Sequence, residues 1–146
     1  MPPSAVVDAS VLVSAFLFPD SVPGQVLKLA AGGGFALHLS SLLIEEARRS
    51  LLNARLQAIH GRDGKTVLAW CAWLGRIGTV FSGPLPEIGS VCRDPDDDHV
   101  IAAAVAVEAG TIVTGDKDLL ALGRFQNVRI ITARAFLAEV DGMAQG

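Results

Sequence analysis

Cysteine is scarce in this chain. Cys71 and Cys92 are the two in 146 residues, with no Cys-x-x-Cys pair and no histidine placed at zinc-finger spacing. Structural zinc and dithiol redox chemistry are poor fits, and two reduced thiols in a cytoplasmic protein are the expectation. Long apolar runs are lacking as well. Hydrophobic residues make up 51% of the chain and charged residues 18%, yet no run approaches the ~18 residues that cross a bilayer. The chain is read as soluble, with no membrane association. The opening "MPPSAVVDASVLVSAFLF" has no basic segment and carries Asp8 inside its apolar stretch, which argues against a secretory signal. Repeats, low-complexity tracts and linkers are absent. One domain over residues 1–146 is expected, long enough to bury a core without staples.

Excess positive charge is missing too, since the formal net charge is −3, which by itself speaks against a polyanionic partner. The average hides a segregation. Nine of the fifteen acids (Asp8, Glu45, Glu46, Asp94, Asp96, Asp97, Asp98, Asp116 and Asp118) fall in a few short segments, and the rest of the chain then carries +6. The densest basic segment, 48–65, contains Arg48, Arg49, Arg55, Arg62 and Lys65. By itself it reads as a solvated helical face more readily than as a track for RNA.

What is present is alternation. "SAVVD" reads as a strand and "SVLVSAFLF" as a helix; a second helix fits 24–31, closed by the glycines at 32–34. "FALHLS" reads as a strand and "SSLLIEEARRSLLN" as a helix capped by Ser40 or Ser41. Helical segments follow at 54–60 and 65–77, then a short strand "TVFS", a helix 97–108 ended by Gly110, a strand "TIVTGD", a helix 117–122, a strand "VRII" and a helix near 133–140. Apolar strands alternating with helices indicate a mainly parallel sheet covered on both faces, a three-layer α/β/α sandwich. Sites in such folds lie beyond the carboxyl ends of the strands. Asp8, Glu46, Asp97 and Asp116 can then meet on one rim.

"CRDPDDDHVIAAAV" places four aspartates within five positions at one helix entrance. A cap uses one or two acceptors; the surplus carboxylates repel one another unless protons or a cation intervene. Several hard oxygen donors suit Mg²⁺ or Mn²⁺ and the hydrolysis of phosphodiesters.

These segments resemble a known family. "VVDASVLVSAFL", "LSSLLIEEARRSL", "DPDDDHVIAAAVA" and "AGTIVTGDKDLLAL", in that order, are similar to the PIN domain, in particular to the single-domain toxins of VapBC-type toxin–antitoxin pairs. The resemblance implies a Mg²⁺- or Mn²⁺-dependent ribonuclease that leaves a 5′-phosphate. Asp8, Glu46, Asp97 and Asp116 would be its catalytic and metal-binding acids, with Asp98 as the alternative to Asp97. Ser10, Thr114, Asp118 and Asp98 would support them, and Arg48, Arg49, Arg55 and Lys117 would contact RNA. It further implies a homodimer and a small cognate antitoxin as partners. His38, His60 and His99 default to structural or surface roles, with a substrate contact as the minority reading for His99 because it stands beside the acids.

Each residue also has a plainer reading. Asp8 can cap the following helix, Glu46 can pair with Arg48 or Arg49, Asp94 before Pro95 fits a turn, and Thr114-Gly115-Asp116 can be an ordinary turn. Trp70 and Trp73 read as core, with a partner surface as the alternative. A receiver-type domain would need an acidic pair near the first strand, where Asp8 stands alone, and a haloacid-dehalogenase-type phosphatase would need a second Asp where Ser10 stands. The remaining rival is a PIN-like module that binds RNA or protein without cutting.

Overall fold

The computed structural model describes residues 3–92 and 94–145, without the side chains of 143–145. Five short apolar strands and one two-residue strand build its sheet: β1 (Ser4–Val7), β2 (Ala36–Ser40), β3 (Thr79–Phe81), β4 (Thr111–Val113), β5 (Arg124–Phe125) and β6 (Val128–Ile131). Their spatial order is β3-β2-β1-β4-β6-β5, with every pairing parallel except β5 against β6. Ala5, Val6, Val7, Ile112 and Val113 have no exposed surface, as expected for strands covered on both sides. β5 is the element the sequence reading lacked. Gln126 adopts φ +52° in the tight return that folds Arg124–Phe125 back onto β6, and two residues are too few for a periodic signal.

The helices are α1 (Ala9–Leu17), α2 (Val22–Ala31), α3 (Ser41–Leu52), α4 (Ala54–His60), α5 (Gly64–Ile77), α6 (Asp98–Val107), α7 (Lys117–Leu122) and α8 (Ala133–Gln145), with a 3₁₀ turn at Pro95–Asp97. From β1 the chain steps outward to β2 and β3, then returns past β1 to β4. Right-handed crossovers therefore put α1–α5 on one face and α6 on the other, where α6 packs on β1, β2, β4 and β6. The result is an α/β/α sandwich.

Local chemistry sets the boundaries. Ser21 accepts from the Gly24 amide, with Pro23 in the first turn, so α2 begins before residue 24. Gly24 is required there because a Cβ would fall 2.0 Å from the Pro19 carbonyl oxygen. Ser40 rather than Ser41 caps α3, accepting from the Leu43 amide at 3.1 Å. α6 stops at Val107 because Glu108 takes up φ 55°, two residues before the glycine that sequence alone would choose.

A satellite cluster of Phe16, Leu51, Val67 and Cys71 joins α1, α3 and α5. Phe16 meets Trp70 and His60 edge-on at 5.1 Å each, with the Arg62 guanidinium 4.3 Å from its ring centre. Trp70 and Trp73 pack against the core, in line with their plainer reading. Truncating Phe16 to alanine would cost ~3–5 kcal/mol, loosening the two helices that carry Ser10 and Glu46. His60 is structural: Nε2 lies 3.0 Å from the Leu51 carbonyl and Nδ1 accepts from the Arg62 amide. Among the described residues no single helix is long and apolar enough to cross a membrane.

Candidate active site

β1 and β4 lie side by side at the centre of the sheet, and the chain leaves them toward opposite faces. Their carboxyl ends thus flank the crevice where such sheets bind ligands. Val7 pairs with Val113, and the Asp8 amide donates to the Val113 carbonyl at 2.9 Å. Asp8 and Thr114 are therefore the first residues beyond the ladder on neighbouring strands.

Asp8 is only 6% exposed. Its Oδ1 accepts from the Ala9 amide at 2.8 Å, capping α1, while Oδ2 accepts from Ser10 Oγ at 3.0 Å and Thr114 Oγ1 at 2.6 Å. The capping role and a second role coexist in one carboxylate. Thr114 Oγ1 in turn accepts from the Asp116 amide, and Ser10 Oγ from the Gly115 amide. The Thr114-Gly115-Asp116 turn is thus tied to the entrance of α1. Asp116 Oδ1 accepts from the amides of Asp118 and Leu119.

Carboxylate oxygens of Asp97, Asp116 and Asp118 lie within 4.8 Å of one another. Asp118, expected only to support the other acids, stands inside this group. Asp97 ends the 3₁₀ turn at the start of α6, and its side chain makes no capping bond. Burial, then the charges of Asp116, Asp94, Asp8 and Asp118, push its carboxyl up to about 6. Among the described residues no Lys or Arg nitrogen lies within 4 Å of Asp8, Asp97, Asp116 or Asp118. An all-oxygen donor set with no basic partner among the described residues fits a hard divalent cation.

The other aspartates at this helix entrance have separate duties. Asp94 caps the 3₁₀ turn through the Asp96 amide, the plainer of its two readings. Asp98, the alternative to Asp97, turns to the Cys92 amide, from which its Oδ1 accepts at 2.7 Å; that bond holds its carboxyl below the usual range. It stands outside the three-acid group because its oxygen is committed to the incoming chain. Burial, with Asp98 beside it, pushes the Cys92 thiol up to about 12.

Glu46 lies on α3 and, against its plainer reading, pairs with neither arginine. Arg48 and Arg49 both turn to Glu45, at 2.5 and 3.5 Å. Glu46 Oε1 instead meets His99 Nε2 at 2.5 Å. His99, assigned to a structural or surface default, is the contact that sequence reasoning missed; the sole signal for it was its place beside the acids. A cleft of about 830 Å³ opens here, bordered by Ser10, Glu46, Arg49, Asp96 and His99, with Val13 and Leu56 among its apolar walls. Arg49 thus faces the cleft. Arg55 and Lys117 are exposed, and neither lines the cleft.

Comparison with known proteins covers this same region. The family described as PIN domain matches residues 4–118, a span that holds every acid named above. An uncharacterized protein of Methanocaldococcus jannaschii is 30% identical over 122 residues, 80% of this chain and 73% of that protein. The crystal structure of PAE2754 from Pyrobaculum aerophilum superposes with a TM-score of 0.58 at 22% identity, covering 96% of this chain and 90% of that one. At that identity the likeness bears on the fold alone.

Proposed function

Because this chain belongs to the PIN-domain family, a family of nucleases, we propose that it is a Mg²⁺- or Mn²⁺-dependent endoribonuclease whose site is the rim of acids beyond β1 and β4. The observation that carries this reading is the convergence of Asp97, Asp116 and Asp118 with no basic partner among the described residues. Asp8, Asp97 and Asp116, with Asp118 and Glu46, are the residues that would hold the ion. When bound, a divalent cation supplies activation of water and relief of charge on the phosphodiester.

The chain's own groups do the rest. Thr114 and Ser10 orient Asp8 by donating to its Oδ2, so that carboxylate needs no reorganisation on loading. Glu46, at the cleft wall, accepts a proton from the attacking water or orients it; its Oε2 has no donor among the described residues. Arg49 offers a guanidinium to a phosphate of the RNA lying in the cleft. The apolar walls Val13 and Leu56 give unstacked bases a surface to lie against, which favours single-stranded or looped substrates.

The sequence likeness to VapBC-type toxins supports extending the reading to a homodimer and a small antitoxin. The exposed apolar side chains Phe18, Leu42, Ile59 and Leu68 are surface that such contacts would cover. Light scattering of Leu68→Glu beside the parent chain tests the dimer: an unchanged mass counts against a contact on α5.

The nuclease reading is tested with a labelled structured RNA in Mn²⁺, in Mg²⁺ and in chelator, with Asp8→Asn and Asp97→Asn prepared identically. Metal-dependent cleavage with a 5′-phosphate product, lost in both variants, is expected. Equal cleavage by parent and variants would sink the proposal.

A further inference from the structure

Glu46 differs from the other acids of the rim. Asp8 and Asp116 are locked by backbone and hydroxyl donors, whereas Glu46 has a longer side chain that is 39% exposed, with three torsions to fix. Its own helix offers a competitor. Arg49 stands at i+3, where an acid and a base attract each other. That attraction is taken up next door, because Glu45 holds Arg48 through two hydrogen bonds and draws Arg49 to 3.5 Å.

What holds Glu46 comes from the opposite side of the sheet's rim. His99, in the first turn of α6 and 53 residues away, brings Nε2 to 2.5 Å from Glu46 Oε1. The imidazole is 16% exposed, and its Nδ1 is buried with no partner among the described residues. A carboxylate only accepts, so the shared proton sits on Nε2. A proton on Nδ1 would be a buried donor without an acceptor, whereas a bare lone pair there is the cheaper state. Geometry thus selects one tautomer, the one that donates to Glu46. Two residues earlier, Asp97 enters the three-acid group, so one helix entrance places Asp97 directly and Glu46 through the imidazole.

We propose that His99 is a positioning residue: by donating Nε2–H to Glu46 it holds that carboxylate at the cleft beside the acids, in the orientation that cation binding and cleavage use. The part concerning the cation rests on the nuclease reading above.

The test compares His99→Gln, whose amide nitrogen can replace Nε2 as donor, with His99→Leu, which fills space and donates nothing. Calorimetric Mn²⁺ affinity and the kcat and KM of RNA cleavage are measured for both, together with ring ¹⁵N spectra of His99 in the metal-free parent and in Glu46→Gln. The expected results are an Nε2–H tautomer whose signal moves in Glu46→Gln, Mn²⁺ binding weakened ~10-fold in His99→Leu as for other partners of metal ligands, a loss in kcat rather than KM, and recovery in His99→Gln. An Nδ1–H tautomer, or a signal indifferent to Glu46→Gln, overturns the contact itself. Equal affinity in Leu and parent, or equal loss in Gln and Leu, overturns the role of the donor. If the parent binds no Mn²⁺ and cuts no RNA, the nuclease reading fails instead, and the metal-free spectra still decide whether His99 holds Glu46.

Discussion

Thr114 Oγ1 donates to Asp8 Oδ2 at 2.6 Å, joining residues 106 positions apart at the carboxyl ends of two adjacent strands. Thr114 is fully buried, and its hydroxyl also accepts from the Asp116 amide. Thr114→Val keeps the volume and deletes both bonds. The expected cost is ~1–3 kcal/mol in urea denaturation, because the part-buried Asp116 amide loses its acceptor and Asp8 Oδ2 keeps only the bond from Ser10. Mn²⁺ affinity should fall ~10-fold or more. Ser10→Ala, at an exposed side chain, should cost less; equal costs would show that the Thr114 bond is not what holds Asp8.

Asp97 gives the metal-free protein a pH dependence. Its carboxyl is pushed up to about 6 in the fold, against about 3.8 for a free aspartate, so between those values the folded chain binds the proton that the unfolded chain has lost. Stability from this group is therefore present at low pH and declines as pH rises from about 4 to 6. In chelator, Asp97→Asn should be the more stable protein at neutral pH, with a flatter profile across that window. Added Mn²⁺ should stabilise the parent at neutral pH and leave the variant nearly unmoved. A parent more stable than Asp97→Asn in chelator at neutral pH would refute the repulsion.

Cys92 should be a slow thiol. With burial and Asp98 pushing it up to about 12, almost none is thiolate at neutral pH. In a Cys71→Ala background, disulfide-exchange reagents should modify the native protein far more slowly than the denatured one. Asp98→Ala, which releases the Cys92 amide, should speed the reaction; equal rates in native and denatured protein would contradict the assignment.

Arg48 and Arg49 should separate in function although they are adjacent. Arg48 is bound through two bonds to Glu45, whereas Arg49 has a side chain 66% exposed and borders the cleft. Arg49→Ala should raise KM for RNA and reduce the slope of log affinity against log salt by ~0.7, the value for one lost phosphate contact on a single strand. Arg48→Ala should change neither. A larger effect at Arg48 would place the RNA elsewhere.

The fold was legible because apolar strands between amphipathic helices announce themselves by period, and Asp8, Asp116 and the helix entrance at 97–98 could be placed by the rule for strand ends. Other features were out of reach. β5 is two residues long, and its pairing is a property of β6 and a tight return. The end of α6 was set by Glu108 in a left-handed conformation rather than by the nearby glycine. Glu46 appeared destined for an arginine, since helix spacing favours one, yet Glu45 absorbs both.

Sequence by itself determined the layers and the inventory of acids, because hydrophobic period and residue type act locally. Only the tertiary structure decided which acids share charge, that Asp118 joins Asp97 and Asp116 while Asp98 caps the chain at Cys92, and that His99 reaches Glu46. Those outcomes depend on distances of a few ångströms between segments from opposite faces of the sheet, and such distances follow from strand order and crossover direction rather than from any local pattern.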